Sequence, residues 1–154
     1  MDLTTTDHIH TLHRSPLILA PILHSFYLNV HEAPRNILLS YLVLPFVLHQ
    51  PTSAYLYRIT DRNSLRTMCS EKSRVAGIHK RIILLRQATN QALFSLINSE
   101  HLRIDDELTV QPVRKNIYCP DGIRPQLVSA RNLARLFEDS DAPQIYKLLG
   151  MTQL

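Results

Sequence analysis

The run Ile37–Leu48 reads I-L-L-S-Y-L-V-L-P-F-V-L, with Ser40 as its only polar residue. A helix that is apolar on every side has to be buried on every side. Such an element lies at the centre of a fold or between subunits, and the rest of the chain has to be arranged around it. A membrane would also bury it, but spanning takes about 20 apolar residues, and this run is shorter and contains Pro45. The apolar stretch before it, Leu17–Val30, is broken by Pro21, His24 and Asn29, and Glu32 and Arg35 separate the two. The expectation is a buried core and no membrane span.

A chain of 154 residues with 45% hydrophobic and 19% charged residues can bury such a core in one domain. Residues 1–14 read as a flexible arm and 15–154 as the domain. His8, His10 and His13 in the arm have neither the i,i+4 spacing of a helical ligand pair nor a zinc-finger pattern, so no metal is assigned to them. The arm is polar and is not a secretory signal. Cys69 and Cys119 have no CxxC spacing, which leaves no disulfide framework and no zinc site. A reducing cytoplasm is the expected compartment.

Ser15 and Pro16 form a favoured helix start, and the first helix is expected to run to about His31 with a bend at Pro21. A second helix is expected from Pro34, carrying the apolar run and kinked or ended by Pro45. Gln50–Ser53 reads as a loop. Ala54–Thr60 (A-Y-L-Y-R-I-T) alternates and is rich in aromatic and β-branched residues, the pattern of a short strand. A short helix over about Ser64–Lys72 leads through the turn at Gly77 to a long helix, about Ile78–Ser99. Leu102, Ile104, Leu108 and Val110 alternate around Asp105-Asp106-Glu107, which predicts a hairpin. Pro112–Pro125 reads as a loop, and short helices are expected over about Ser129–Phe137 and Pro143–Leu149, closed by Gly150.

At about 100° per residue, Ile78, Ile82, Leu85, Thr89, Ala92, Leu93 and Leu96 share one face of the long helix. The opposite polar stripe (Lys80, Gln87, Gln91, Asn98) is narrow and flanked by Ile83, Leu84 and Phe94. Two readings stand. The helix is a central core helix, or it packs on its own domain and on a partner through Ile83, Leu84 and Phe94. Charge is also unevenly placed. Residues 55–100 carry eight Lys or Arg against three Asp or Glu, while the remainder is close to balanced. Arg58, Arg62, Arg66, Lys80 and Arg81 are the candidate DNA contacts in this basic third; a solvated face is the plainer alternative.

The predicted fold class is mainly α with a small β-hairpin, a winged-helix-like domain with extra N- and C-terminal helices. In a winged helix the third helix enters the major groove and the hairpin flanks it. The acidic hairpin tip would repel phosphate, so this hairpin is expected to face protein or solvent. The pattern contains no catalytic constellation. Only three glycines are present, there is no phosphate loop, and neither G-x-S-x-G nor H-E-x-x-H occurs. No cofactor is expected.

The stretch Asn36–Thr52 (N-I-L-L-S-Y-L-V-L-P-F-V-L-H-Q-P-T) resembles the signature of the middle component of bacterial three-component ABC systems. Thr60–Leu65 (T-D-R-N-S-L) is similar to that family's T-x-x-S-L, and Arg86–Leu102 to its long helix and hairpin start. Leu133–Phe137 with Ala142–Met151 resembles its closing A-R-x-F…I-x-x-L-L-G. The resemblance spans about Ser15–Met151. It implies a small, non-enzymatic accessory subunit of an anti-phage or anti-plasmid defence complex, of which Lamassu-type systems are an example. The implied partners are an SMC/Rad50-like ABC ATPase and an effector, often a nuclease, with DNA engaged through the complex. Two other classes stay open on residues alone: a free-standing winged-helix DNA-binding regulator, and a small enzyme using Cys69 or Cys119.

Overall fold

The structure is a computed structural model and describes residues 15–152. The expected arm, with His8, His10 and His13, lies outside the described residues. The elements in chain order are α1 (Pro16–Tyr27), a 3-10 turn (Asn36–Leu39), α2 (Ser40–Val47), α3 (Gln50–Tyr57), α4 (Leu65–Cys69), α5 (Lys72–Val75), α6 (Ile78–Asn98), β1 (Leu102–Ile104), β2 (Val110–Pro112), α7 (Arg124–Leu136) and α8 (Ala142–Leu148). The fold is mainly helical, with one small antiparallel sheet pairing Leu102 with Pro112 and Ile104 with Val110.

The apolar run is the centre of the fold. Leu42, Val43, Leu44, Phe46 and Val47 are at most 1% exposed. Fully burying side chains of this kind is worth about 1.5–3 kcal/mol each. α1 packs on α6 and α7, α2 on α6, and α3 on α7, so the two apolar helices are enclosed by the two longest amphipathic ones. The buried apolar residues from Leu19 to Tyr146, apart from Ile123, form a continuous cluster. Among the described residues no single helix is long and apolar enough to cross a membrane. The segment Asn36–Val47 bends by 101° against Gln50–Tyr57.

Several boundaries differ from expectation, each for a local reason. α1 stops at Tyr27, four residues early, in a turn where the N–H groups of Asn29 and Val30 share the Phe26 carbonyl (3.1 and 2.9 Å) and Asn29 Nδ2 donates to the Ser25 carbonyl (2.8 Å). Pro34 does not start the second helix; Arg35 takes a left-handed backbone (φ 61°) and a 3-10 turn begins at Asn36. Pro45 sits inside α2, which ends two residues later. The expected Ser64–Lys72 helix is divided into α4 and α5. α7 begins at Arg124 rather than near Ser129, with Pro125 in its first turn.

The largest correction concerns Gln50–Tyr57, expected as a loop and a strand and found as helix α3. Pro51 occupies the first turn, where its missing N–H costs nothing. Thr52 and Leu56, one helical turn apart, are both 0% exposed, so the apolar alternation is equally a helical spacing. The element order of a winged helix therefore lacks its first strand here, while the succession of long helix and hairpin stands. The predicted hairpin is present, with Leu102 and Val110 buried and Leu108, in the turn, exposed with φ 60°. Asp105 explains that turn, since its Oδ1 accepts from the N–H of Glu107 (2.9 Å) and of Thr109 (3.0 Å). The acidic tip lies on its own domain: Arg35 N–H donates to the Glu107 carbonyl (2.9 Å) and Ile37 N–H to that of Leu108 (3.3 Å).

Candidate partner interface

The outer face of α6 follows from its sequence spacing. Leu85, Ala88, Thr89, Ala92, Leu93 and Leu96 turn inward and are buried. Ile83 (56% exposed), Leu84 and Phe94 (68% exposed) turn outward. Ile83 and Phe94 are separated by about 20° around the helix and about 16 Å along it, with Leu84 about 100° from Ile83. The three candidate interface residues thus form a broad outer stripe, with exposed Gln87 and Gln91 among them.

Beside Ile83 lies an open cleft of about 290 Å³ between the 3-10 turn, α2, α6 and α8. Leu38, Tyr41, Ile82, Ile83, Tyr146 and Met151 line it, with His79 and Arg86 on its α6 side. Tyr146 donates to the Leu38 carbonyl (2.7 Å) and Tyr41 to Asn90 Oδ1 (2.7 Å). Burial pushes the Tyr146 phenol above its usual range. The α6 part of this site, His79, Ile82, Ile83 and Arg86, has i, i+3, i+4, i+7 spacing, a signal present in the sequence. Leu38, Tyr41 and Tyr146 come from distant segments, and no local pattern announces them.

The basic candidates fall into two groups. Arg58, Arg62 and Arg66 surround the α3–α4 turn, and all three are exposed. That turn is rigidly built: Thr60 N–H donates to Asn63 Oδ1 (2.7 Å), Asn63 Nδ2 to the Tyr55 hydroxyl (3.0 Å), and Tyr55 bonds Thr67 Oγ1 (2.9 Å). Ser64 and Thr67 form a reciprocal capping box. Asp61 pairs with Arg135 across it (2.7 Å). Lys80 and Arg81 belong to the first turn of α6. Lys80 is exposed, whereas Arg81 is half-buried, with Nε donating to the Pro45 carbonyl (3.0 Å) and Nη1 to that of Ala76 (2.5 Å). It caps the end of α2 and lies against Gly77, whose φ is +72°.

The same junction explains the H-Q-P-T segment. Thr52 donates to the Arg74 carbonyl (2.6 Å), so His49 Nδ1 carries the proton that bonds Thr52 Oγ1 (2.8 Å). Arg74 in turn covers the Tyr55 ring at 3.9 Å. Pro45, His49, Pro51 and Thr52 thus join α2 and α3 to the approach to α6. A family model described as ABC-three component (ABC-3C) system Middle Component 3 matches residues 3–153. The chain belongs to that family. This middle component is accordingly an accessory part of a multi-subunit, ABC ATPase-associated defence system, and its partners are other subunits of it. No curated protein and no solved structure matches it.

Neither cysteine of this middle component lies in a metal-binding group; among the described residues there is no cluster of three or more His, Cys, Asp and Glu. Burial pushes the Cys69 thiol up, away from the reactive thiolate. Cys119 is exposed and borders a depression with His24. The His24 Nε2 donates to the Arg114 carbonyl (2.7 Å).

Proposed function

We propose that this middle component is a non-catalytic docking subunit of a Lamassu-type or related cytoplasmic complex. It would attach through the outer face of α6 to an SMC/Rad50-like ATPase and help it engage DNA and control an effector nuclease. The exposure of Ile83, Leu84 and Phe94 on a helix whose inner face is fully packed is the observation that carries this reading. Large apolar side chains gathered on one outer face, rather than scattered singly, support an interaction site there. Arg58, Arg62, Arg66 and Lys80 form the proposed DNA face, since their side chains make no hydrogen bond or ion pair with other described residues. Arg81 contributes less to it, its Nε and Nη1 being engaged by carbonyls.

Co-expression with the flanking genes and gentle purification tests the reading. Recovery of a large ATPase in fixed ratio, lost in an Ile83→Asp/Phe94→Asp double variant that still folds, is the expected result. A chain that purifies alone as a dimer and binds duplex DNA would replace this reading with a free-standing DNA-binding regulator.

A further inference from the structure

The cleft beside α6 has features that specify its occupant. At about 290 Å³ it falls just below the range of about 300–1,000 Å³ typical of small-molecule pockets. That is room for one or two large side chains. Its walls are apolar or aromatic, and the hydroxyl hydrogens of Tyr41 and Tyr146 are already donated inside the protein. The interior therefore favours hydrocarbon.

The rim differs. His79 and Arg86 stand on it, both exposed, and neither side chain makes a hydrogen bond or ion pair among the described residues. From Lys72 to Ser99 the chain has no Asp or Glu at all. Among the described residues no carboxylate lines the cleft. Among the described residues Arg86 is thus a guanidinium without a counter-charge, one helical turn from Ile82 and Ile83, and its geometry suits a carboxylate.

We propose that this cleft receives an apolar anchor side chain from an acidic amphipathic segment of a protein partner, with a carboxylate of that segment on Arg86. Helix-in-groove binding presents such anchors at i, i+3 and i+4, so an acid within one turn of the anchor reaches the rim. This proposal rests on the docking reading above and names the chemistry of one contact within it.

The test uses the full chain co-purified with the products of its flanking genes. A photo-crosslinking benzoylphenylalanine replaces Tyr41 in one sample and Phe94 in another, and mass spectrometry maps the joined peptides. The Tyr41 position is expected to join another subunit at an apolar residue with Asp or Glu within four positions. Arg86→Glu should then weaken binding to that subunit about tenfold. Reversing the mapped acid to Arg should restore most of the loss.

Cross-links from the Phe94 position but none from the Tyr41 position would overturn this proposal and leave the docking reading intact. A cross-link to a second copy, to residues 1–14 or 153–154 of the same chain, or to a segment without acids would also overturn it, as would Arg86→Glu without effect. If no other subunit co-purifies, both readings fall.

Discussion

Asn36 pairs with Val110 as a neighbouring strand would. The Val110 N–H donates to Asn36 Oδ1 at 2.6 Å, and Asn36 Nδ2 returns a bond to the Val110 carbonyl at 3.2 Å. One buried amide thus satisfies both backbone groups on the free edge of β2 and fixes the hairpin to the start of the central apolar run. Tyr27 donates to the Asn36 carbonyl (3.1 Å) and also bonds Ser40, which ties α1 to the same point.

Asn36→Ala leaves two buried backbone groups unpaired. A loss of about 2–6 kcal/mol is expected, at about 1–3 kcal/mol for each orphaned group. Urea unfolding measures it. A loss under about 0.5 kcal/mol would mean that water replaces the amide.

Thr89 is 0% exposed, and its Oγ1 has no hydrogen-bond partner among the described residues. Thr89→Val keeps the shape and removes a buried, unpaired hydroxyl. The variant should gain about 1 kcal/mol. Destabilisation in the same unfolding measurement would reveal a partner for that hydroxyl.

Arg81 and Arg62 should respond differently to the same change. Arg81→Gln removes donors from the Pro45 and Ala76 carbonyls and is expected to cost about 2 kcal/mol. Arg62→Gln at an exposed site should stay within about 0.5 kcal/mol. If Arg62 is a phosphate contact, its replacement instead lowers the salt dependence of DNA binding by the complex, by close to one unit of slope. Equal melting-temperature shifts for the two variants would contradict the structural role of Arg81.

Acid should weaken the fold before its carboxylates titrate. Burial, foremost, holds both His24 and His49 below the usual 6.5; nearby His101 and Arg81 respectively push in the same direction. With folded values below unfolded ones, the unfolded chain binds more protons as pH drops. Stability is therefore level above about pH 6.5 and declines from there to pH 5. Chemical denaturation at a series of pH values checks this, and His49→Asn should flatten part of the decline. A flat profile down to pH 5 would contradict the lowered values of the buried His24 and the partly buried His49.

Local chemistry was readable where a few adjacent residues decide it. Ser15-Pro16 opens α1, Ser64 caps α4, Gly77 precedes α6, and the acidic tip turns the hairpin. The core face of α6 and its outward Ile83 and Phe94 followed from helical periodicity alone. Over Ala54–Tyr57 alternation and i,i+4 spacing coincide for so few residues that they do not separate strand from helix, and Pro51 in the first turn is the local signal for the helix.

By itself the sequence determined that Ile37–Leu48 would be enclosed, since an all-apolar helix has no face to offer water. Its wording also carried the family. Tertiary structure alone decided what the polar groups near that run do. Arg81 reads as a surface cation until α2 brings the Pro45 carbonyl to it, and Asn36 as a loop residue until β2 lies alongside. Leu38, Tyr41, Tyr146 and Arg86 become one site only when α8 closes against the 3-10 turn. Burial is set by composition along the chain, whereas directional partners depend on which distant segments meet.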